Sequence, residues 1–195
     1  AGFAPVRLDV LQRMASLPTL TDRSMVDGQR AAMTNPNAPN PSIEAILHAI
    51  IPFKFVDHTH ADSVVTITNT PNGEQKVREL YGANVLCIPY VMPGFLLAKK
   101  VYEMTQGIDW KQYKGMILLH HGVFSFADTA QESYENMIEL VDQAEKYLQS
   151  QEAWEAIAKS TIDSPTQADL LKLATTRKEV SELRSTPLVA QWDCT

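Results

Sequence analysis

Cysteine is nearly absent from this chain. Cys87 and Cys194 are the only two in 195 residues, too few for a disulfide framework and without the CxxC spacing of a metal site. Cys87, within Val-Leu-Cys-Ile, is expected to be a small buried apolar residue. Basic charge is scarce as well. Lys and Arg number 17 against 23 Asp and Glu, a formal net charge of −6, and nucleic-acid binding is excluded because phosphate-driven affinity needs a basic face. A phosphorylated small substrate stays open, since a pocket can be locally positive. No run approaches the ~20 continuous apolar residues of a membrane span, and no cleavable signal pattern opens the chain. The expected location is therefore cytoplasmic, with no membrane partner. No G-x-G-x-x-G follows a strand-like run, which excludes nicotinamide binding in that manner.

Hydrophobic residues make up 45% of the chain, enough for one full domain with a core, while a second would be cramped. The chain starts at Ala1 rather than Met and reads as a piece of a longer polypeptide. Val6, Leu8, Val10, Leu11, Met14 and Leu17 make a helical face that Pro18 ends, and Thr21 to Met33 reads as a second helix. Thr34 to Pro41 holds three Pro and three Asn, which forbids regular structure. A helix is expected to open there, with Pro41 at its first position and Asn40 or Ser42 as cap, and to bury Ile43, Ile46, Leu47, Ile50 and Ile51 before Pro52. Phe53 to His58 alternates as a strand does. Val64 to Ile67 fits helix or strand, Pro71-Asn-Gly a turn, Gln75 to Tyr81 a helix, and Val85 to Ile88 a buried strand.

Gly94 to Gln106 reads as helix and Met116 to Leu119 as a buried strand, with Gly122 to Phe126 its continuation or a bend. Asp128 or Thr129 can cap a long helix with Tyr134, Met137, Ile138, Val141, Ala144 and Leu148 on its apolar stripe. Helices over 151–159 and 165–184 and a short strand from Leu188 to Trp192 complete the expectation. Helices and short strands alternate, as in an α/β sandwich.

All five histidines fall in three clusters. Residues two apart on a strand share a face, so His58 and His60 can converge on one ion. His120-His121-Gly122 can supply a third ligand from the end of another strand, and Gly122 permits close backbone approach. Three imidazoles with an open position are the donor set of a catalytic rather than a structural zinc site. The alternative is two unrelated pairs of hydrogen-bonded histidines at strand ends. Glu44 lies in the first turn of its helix, where the dipole favours a carboxylate whether or not it does chemistry, and His48 sits one turn later within its reach. Asp62 can brace a ligand histidine or cap a helix.

Pro41-Ser-Ile-Glu44 with His48, Val56-Asp-His-Thr-His-Ala-Asp62 and Leu118-Leu-His-His-Gly122 together resemble the class II aldolase/adducin family over about residues 1–150. Within it, Pro41 to Ala49 and Pro52 to Asp62 look like the aldolase half of bifunctional rhamnulose-1-phosphate aldolase/alcohol dehydrogenase proteins, in which a short-chain dehydrogenase domain follows. The resemblance implies a three-layer α/β/α sandwich around a mostly antiparallel sheet. It implies a metal-binding domain over residues 1–160, its N-terminal part missing, and a C-terminal helix and exit segment over 161–195. The family's ligands match His58, His60 and His121, and its proton-carrying glutamate matches Glu44. His120 and His48 become supporting groups, and Ser42 one of two phosphate-side serines, the other replaced by Ile43. The implied activity is zinc-dependent aldol cleavage of a ketose 1-phosphate, rhamnulose-1-phosphate by nearest resemblance, to dihydroxyacetone phosphate and a hydroxyaldehyde. Related epimerases, dehydratases and decarboxylases share the machinery, and adducin-like members are non-catalytic. Family members are commonly homotetramers with sites between subunits, and Tyr90 can line such a site. Their phosphate is held partly by a Gly-rich segment that would precede this chain.

Overall fold

A computed structural model describes residues 3–153 and 165–189. The chain divides into two compact units, 1–151 and 152–195. In the first, a four-stranded sheet has the order β1-β4-β3-β2, with β1 Phe55–Thr59, β2 Val85–Ile88, β3 Gly115–Leu118 and β4 Gly122–Ala127. The β1–β4 and β4–β3 pairs are antiparallel and β3–β2 is parallel. Seven helices surround it: α1 Leu8–Ser16, α2 Asp22–Ala31, α3 Ala45–Ile50, α4 Asp62–Thr68, α5 Gly73–Tyr81, α6 Phe95–Met104 and α7 Ala130–Ser150.

Alternation along the strands sorts these helices into layers. Ile88, Met116, Leu118, Phe124 and Phe126 point to one face and form a core with Leu11 and Met14 of α1, Ile46 and Leu47 of α3, and Leu97 and Val101 of α6. The odd-numbered residues of β1 and β4 point to the other face, where α7 lies. Ser125 Oγ donates to the Ser133 carbonyl at 2.8 Å, and Ser133 Oγ donates to Asp57 Oδ2 at 2.6 Å. Both sheet faces are covered, so β3 and β4 are buried along their whole length. Helix α6 starts where Asp22 of α2 accepts the Phe95 N–H at 2.9 Å. The residue before it must be glycine, because Gly94 has φ 128° and a Cβ there would lie 2.5 Å from Asp22 Oδ1.

Several expectations change. Gly122 to Phe126 is neither a continuation nor a bend of β3 but a separate strand turned back upon it, with Leu118 paired to Gly122. The ambiguous Val64 to Ile67 is helical, within α4. Pro41 does not open a helix: α3 begins at Ala45, and Ser42 Oγ instead accepts the Glu44 N–H at 3.1 Å. Thr129, not Asp128, caps α7 by accepting the Glu132 N–H. The buried stripe of α7 runs through Ser133, Met137, Leu140, Ala144 and Leu148, while Tyr134 and Ile138 face solvent. The Asp57 bond explains why a serine takes the buried place at 133. Cys87 is half-buried rather than buried, its thiol pKa raised by desolvation.

The second unit contributes α8 Gln167–Leu183, opened by a capping box between Thr166 and Asp169. Most of 151–159, the Ala190–Trp192 end of the expected last strand, and Cys194 lie outside the described residues. Among the described residues no helix is long and apolar enough to cross a membrane.

Candidate metal centre

Three separate segments converge where β1 ends and β4 begins. His58 leaves β1 on the α3 side of the sheet, opposite Phe124 in register, and its ring stacks on that phenyl with centroids 4.0 Å apart. His60 follows two residues later and returns to the same side, its Nε2 3.0 Å from His58 Nε2. His121 closes the three-residue loop between β3 and β4, and its N–H bonds back to the Leu118 carbonyl. Glu44 arrives from the N-terminal edge of α3. Its Oε1 lies 2.6 Å from His121 Nε2, 3.3 Å from His58 Nε2 and 4.0 Å from His60 Nε2. One ligand atom from each of these four residues lies within 4.8 Å of the others.

The protonation pattern suits a cation. His58 Nδ1 is 2.9 Å from the Val123 carbonyl, which can only accept. Nδ1 therefore carries a proton and Nε2 faces the cluster: it donates to Glu44 when the ring is protonated, and it offers its lone pair to an ion when the ring is neutral. Desolvation, then the neighbouring His58 and His121, hold the His60 pKa below its ordinary value, which favours the neutral ligand form. Hydrogen bonds from His121 and then His58 hold the Glu44 carboxyl far below the usual glutamate value, so it is an anion. Three imidazole nitrogens and a carboxylate form the donor set of zinc and similar divalent ions, and these residues fit such an ion. Gly122 makes the convergence possible: a Cβ there would lie 2.5 Å from the Thr59 carbonyl oxygen, 2.9 Å from His60 Cδ2 and 3.1 Å from His58 Cε1.

The remaining expected residues spread around this cluster. His48 does not hydrogen-bond Glu44; its ring stands edge-on to Phe124 at 5.3 Å, and desolvation followed by His58 lowers its pKa. Part of its surface remains in water. Ser42 and His48 line a cavity of about 610 Å³ with Val6, Leu11, Pro41 and Ala45. Asp62 is exposed in the first turn of α4, with Ala61 rather than Asp62 at the cap position and no bond to a histidine. His120 is exposed in the β3–β4 loop, not on a strand, and faces Asn69 and Tyr90. The Val123 carbonyl and the Thr68-Asn69 pair beside the histidines were not foreseen, because only strand register and helix placement bring them there.

A family model described as the Class II Aldolase and Adducin N-terminal domain matches residues 14–148. The chain belongs to the class II aldolase and adducin family. It is 33% identical over 148 residues to a Bacillus subtilis (strain 168) protein called uncharacterized oxidoreductase YuxG, covering 75% of this chain and 21% of that protein. The chain thus spans about a fifth of that relative's length. The N-terminal class II aldolase domain of a conserved Thermoplasma acidophilum protein superposes with a TM-score of 0.65 at 40% identity, over 73% of this chain and 65% of that one. An aldolase II superfamily protein from Pseudomonas syringae shares the fold, with a TM-score of 0.50 at 15% identity over 80% of this chain and 69% of that one. The four-stranded, mostly antiparallel sheet with helices on both sides is the architecture of these class II aldolase structures.

Proposed function

We propose that this chain is the metal-binding part of an aldolase that cleaves a ketose 1-phosphate, such as rhamnulose-1-phosphate, into dihydroxyacetone phosphate and a hydroxyaldehyde. The observation that carries the reading is the convergence of Glu44, His58, His60 and His121 within 4.8 Å. His58, His60 and His121 would hold a divalent ion, zinc by donor type. Such an ion supplies Lewis-acid polarisation of the substrate's adjacent carbonyl and hydroxyl oxygens. Glu44 is the proton carrier: an anionic carboxylate within hydrogen-bond reach of two of these histidines can take a hydroxyl proton and return it to carbon. Phe124 and the Val123 carbonyl hold the His58 ring so that Nε2 keeps its direction. Ser42 and His48, which stand two residues before and four after Glu44 and line a cavity beside α3, are the further candidates to contact substrate.

We extend the reading to a homo-oligomer, a tetramer by family habit. We also extend it to a longer polypeptide with a short-chain dehydrogenase domain, supported by the oxidoreductase name of a relative of which this chain matches 21%.

The test is metal analysis and turnover of the full-length polypeptide. One divalent ion per chain is expected, lost in the His58→Ala/His121→Ala pair. Aldehyde release from ketose 1-phosphates should fall about 10²–10⁴-fold in Glu44→Gln while metal content is kept. No cleavage of any ketose 1-phosphate, with epimerisation of a pentulose 5-phosphate, moves the activity to the epimerase branch.

A further inference from the structure

His120 stands in a backbone conformation that its surroundings must enforce. Its φ of 59° is in the left-handed region, at the third position of the turn closed by the His121 N–H bond to the Leu118 carbonyl. Glycine or asparagine suits that position, and a histidine there is strained. Two groups from the end of α4 hold it in place. Buried Thr68 Oγ1 accepts the His120 N–H at 3.2 Å, and Asn69 Oδ1 meets the ring Nδ1 at 2.9 Å. Because Oδ1 only accepts, Nδ1 carries the proton and Nε2 keeps its lone pair. The Tyr90 ring stands edge-on to the imidazole at 5.7 Å, and both residues are exposed.

A turn that needed only its shape would do better with glycine. Here the strained residue is an imidazole with a fixed tautomer, open to solvent and joined by one peptide bond to His121 of the metal cluster. Strain retained beside a chemical centre points to use of the side chain. We propose that His120 is a substrate-binding residue of this site. Its Nε2 accepts a hydrogen bond from a hydroxyl on the carbon chain of the hydroxy-carbonyl substrate, and Tyr90 packs beside the ring. This assignment rests on the metal reading above and names a specificity determinant within it. His120 selects substrates that carry a hydroxyl beside the two oxygens facing the ion.

The test uses the metal-loaded full-length polypeptide and two hydroxamates, each presenting two adjacent oxygens to a divalent ion. Glycolohydroxamate carries a hydroxyl where acetohydroxamate has only a hydrogen. Calorimetry on wild type should show glycolohydroxamate binding about tenfold more tightly, the effect of one net hydrogen bond. In His120→Gly that preference should shrink to about twofold or less, with acetohydroxamate affinity and metal content unchanged. The melting temperature should hold or rise, because glycine relieves the strained φ. Asn69→Ala, which frees the ring tautomer, should lose part of the preference. His120→Asn keeps the turn and checks that the glycine result is not a folding defect. A preference absent from wild type, or fully kept in His120→Gly while acetohydroxamate binds both proteins, refutes the role of His120 and leaves the metal site standing. If neither hydroxamate binds metal-loaded wild type, the ion is not open to substrate oxygens, and the catalytic reading of the metal site falls with the His120 assignment.

Discussion

Replacing Gly122 by alanine tests whether the strand junction that assembles the metal cluster is as tight as its geometry states. The added Cβ would lie 2.5 Å from the Thr59 carbonyl oxygen, whereas ordinary contact begins at 3.4 Å. Relief needs a displacement of about 0.9 Å between the end of β1 and the start of β4, the difference of those two distances. The nearest of the three partners is a backbone oxygen, which cannot swing away as a side-chain tip can, and His60 Cδ2 and His58 Cε1 stand 2.9 and 3.1 Å from the same point. His58 is further pinned by its bond to the Val123 carbonyl and its stack on Phe124. Gly122 is not among the glycines with positive φ, so alanine adds steric conflict rather than backbone strain. Overpacking of this kind costs about 1–3 kcal/mol. At about 2–4 °C per kcal/mol for a chain of this size, the metal-free protein should melt roughly 2–12 °C lower. Displaced ligand rings should weaken metal binding about 10–100-fold, the range seen when ligand orientation is disturbed. Thermal unfolding without metal and a competition titration with a chromogenic chelator measure the two effects separately. Gly82→Ala is the control, since its φ is 60° but nothing lies within 4 Å of the new Cβ; it should shift stability but leave metal affinity unchanged. A Gly122→Ala protein with wild-type melting and metal affinity within about twofold would show that the junction yields freely and would refute the reasoning.

Ser133→Ala removes the buried 2.6 Å donor to Asp57 that ties α7 to β1, and chemical denaturation should report a loss of about 1.5–3 kcal/mol. On α7, Leu140→Ala should cost about 2–5 kcal/mol by the same measurement, whereas Ile138→Lys, on the exposed side, should stay within about 0.5 kcal/mol. The folded-state pKa of Glu44 lies far below its ordinary 4.5, chiefly through hydrogen bonds from His121 and His58. A depressed carboxylate stabilises the fold above its unfolded pKa and loses that contribution as pH falls through the folded value. In metal-free protein, the melting-temperature advantage of wild type over Glu44→Gln should therefore be full above about pH 5 and shrink as pH falls below the ordinary value; an advantage constant with pH would show that Glu44 is not held by the histidines.

How far the fold and the site could be read in advance depended on what each segment leaves to local chemistry. The Asn/Pro loop from Thr34 to Pro41 and the apolar run of β2 carry their own signals, and the two-residue period of a strand was enough to place His58 and His60 together. The Met116 to Phe126 stretch defeats local reading because it is apolar on both sides of the histidines and has no Gly or Asn at the third position of its turn. Nothing there announces a reversal, although the reversal decides which histidine joins the cluster. Met116 and Leu118 point to the face that His58 shares through Phe124. Had the strand simply continued, alternation would have sent His120 to that face and His121 to the other. The turn instead pairs Leu118 with Gly122, leaves Leu119, His120 and His121 in the loop, and brings His121 Nε2 to 2.6 Å from Glu44. The left-handed φ at His120 is the local cost of that exchange. Thr68 and Asn69, from a helix about fifty residues earlier, hold the turn in place.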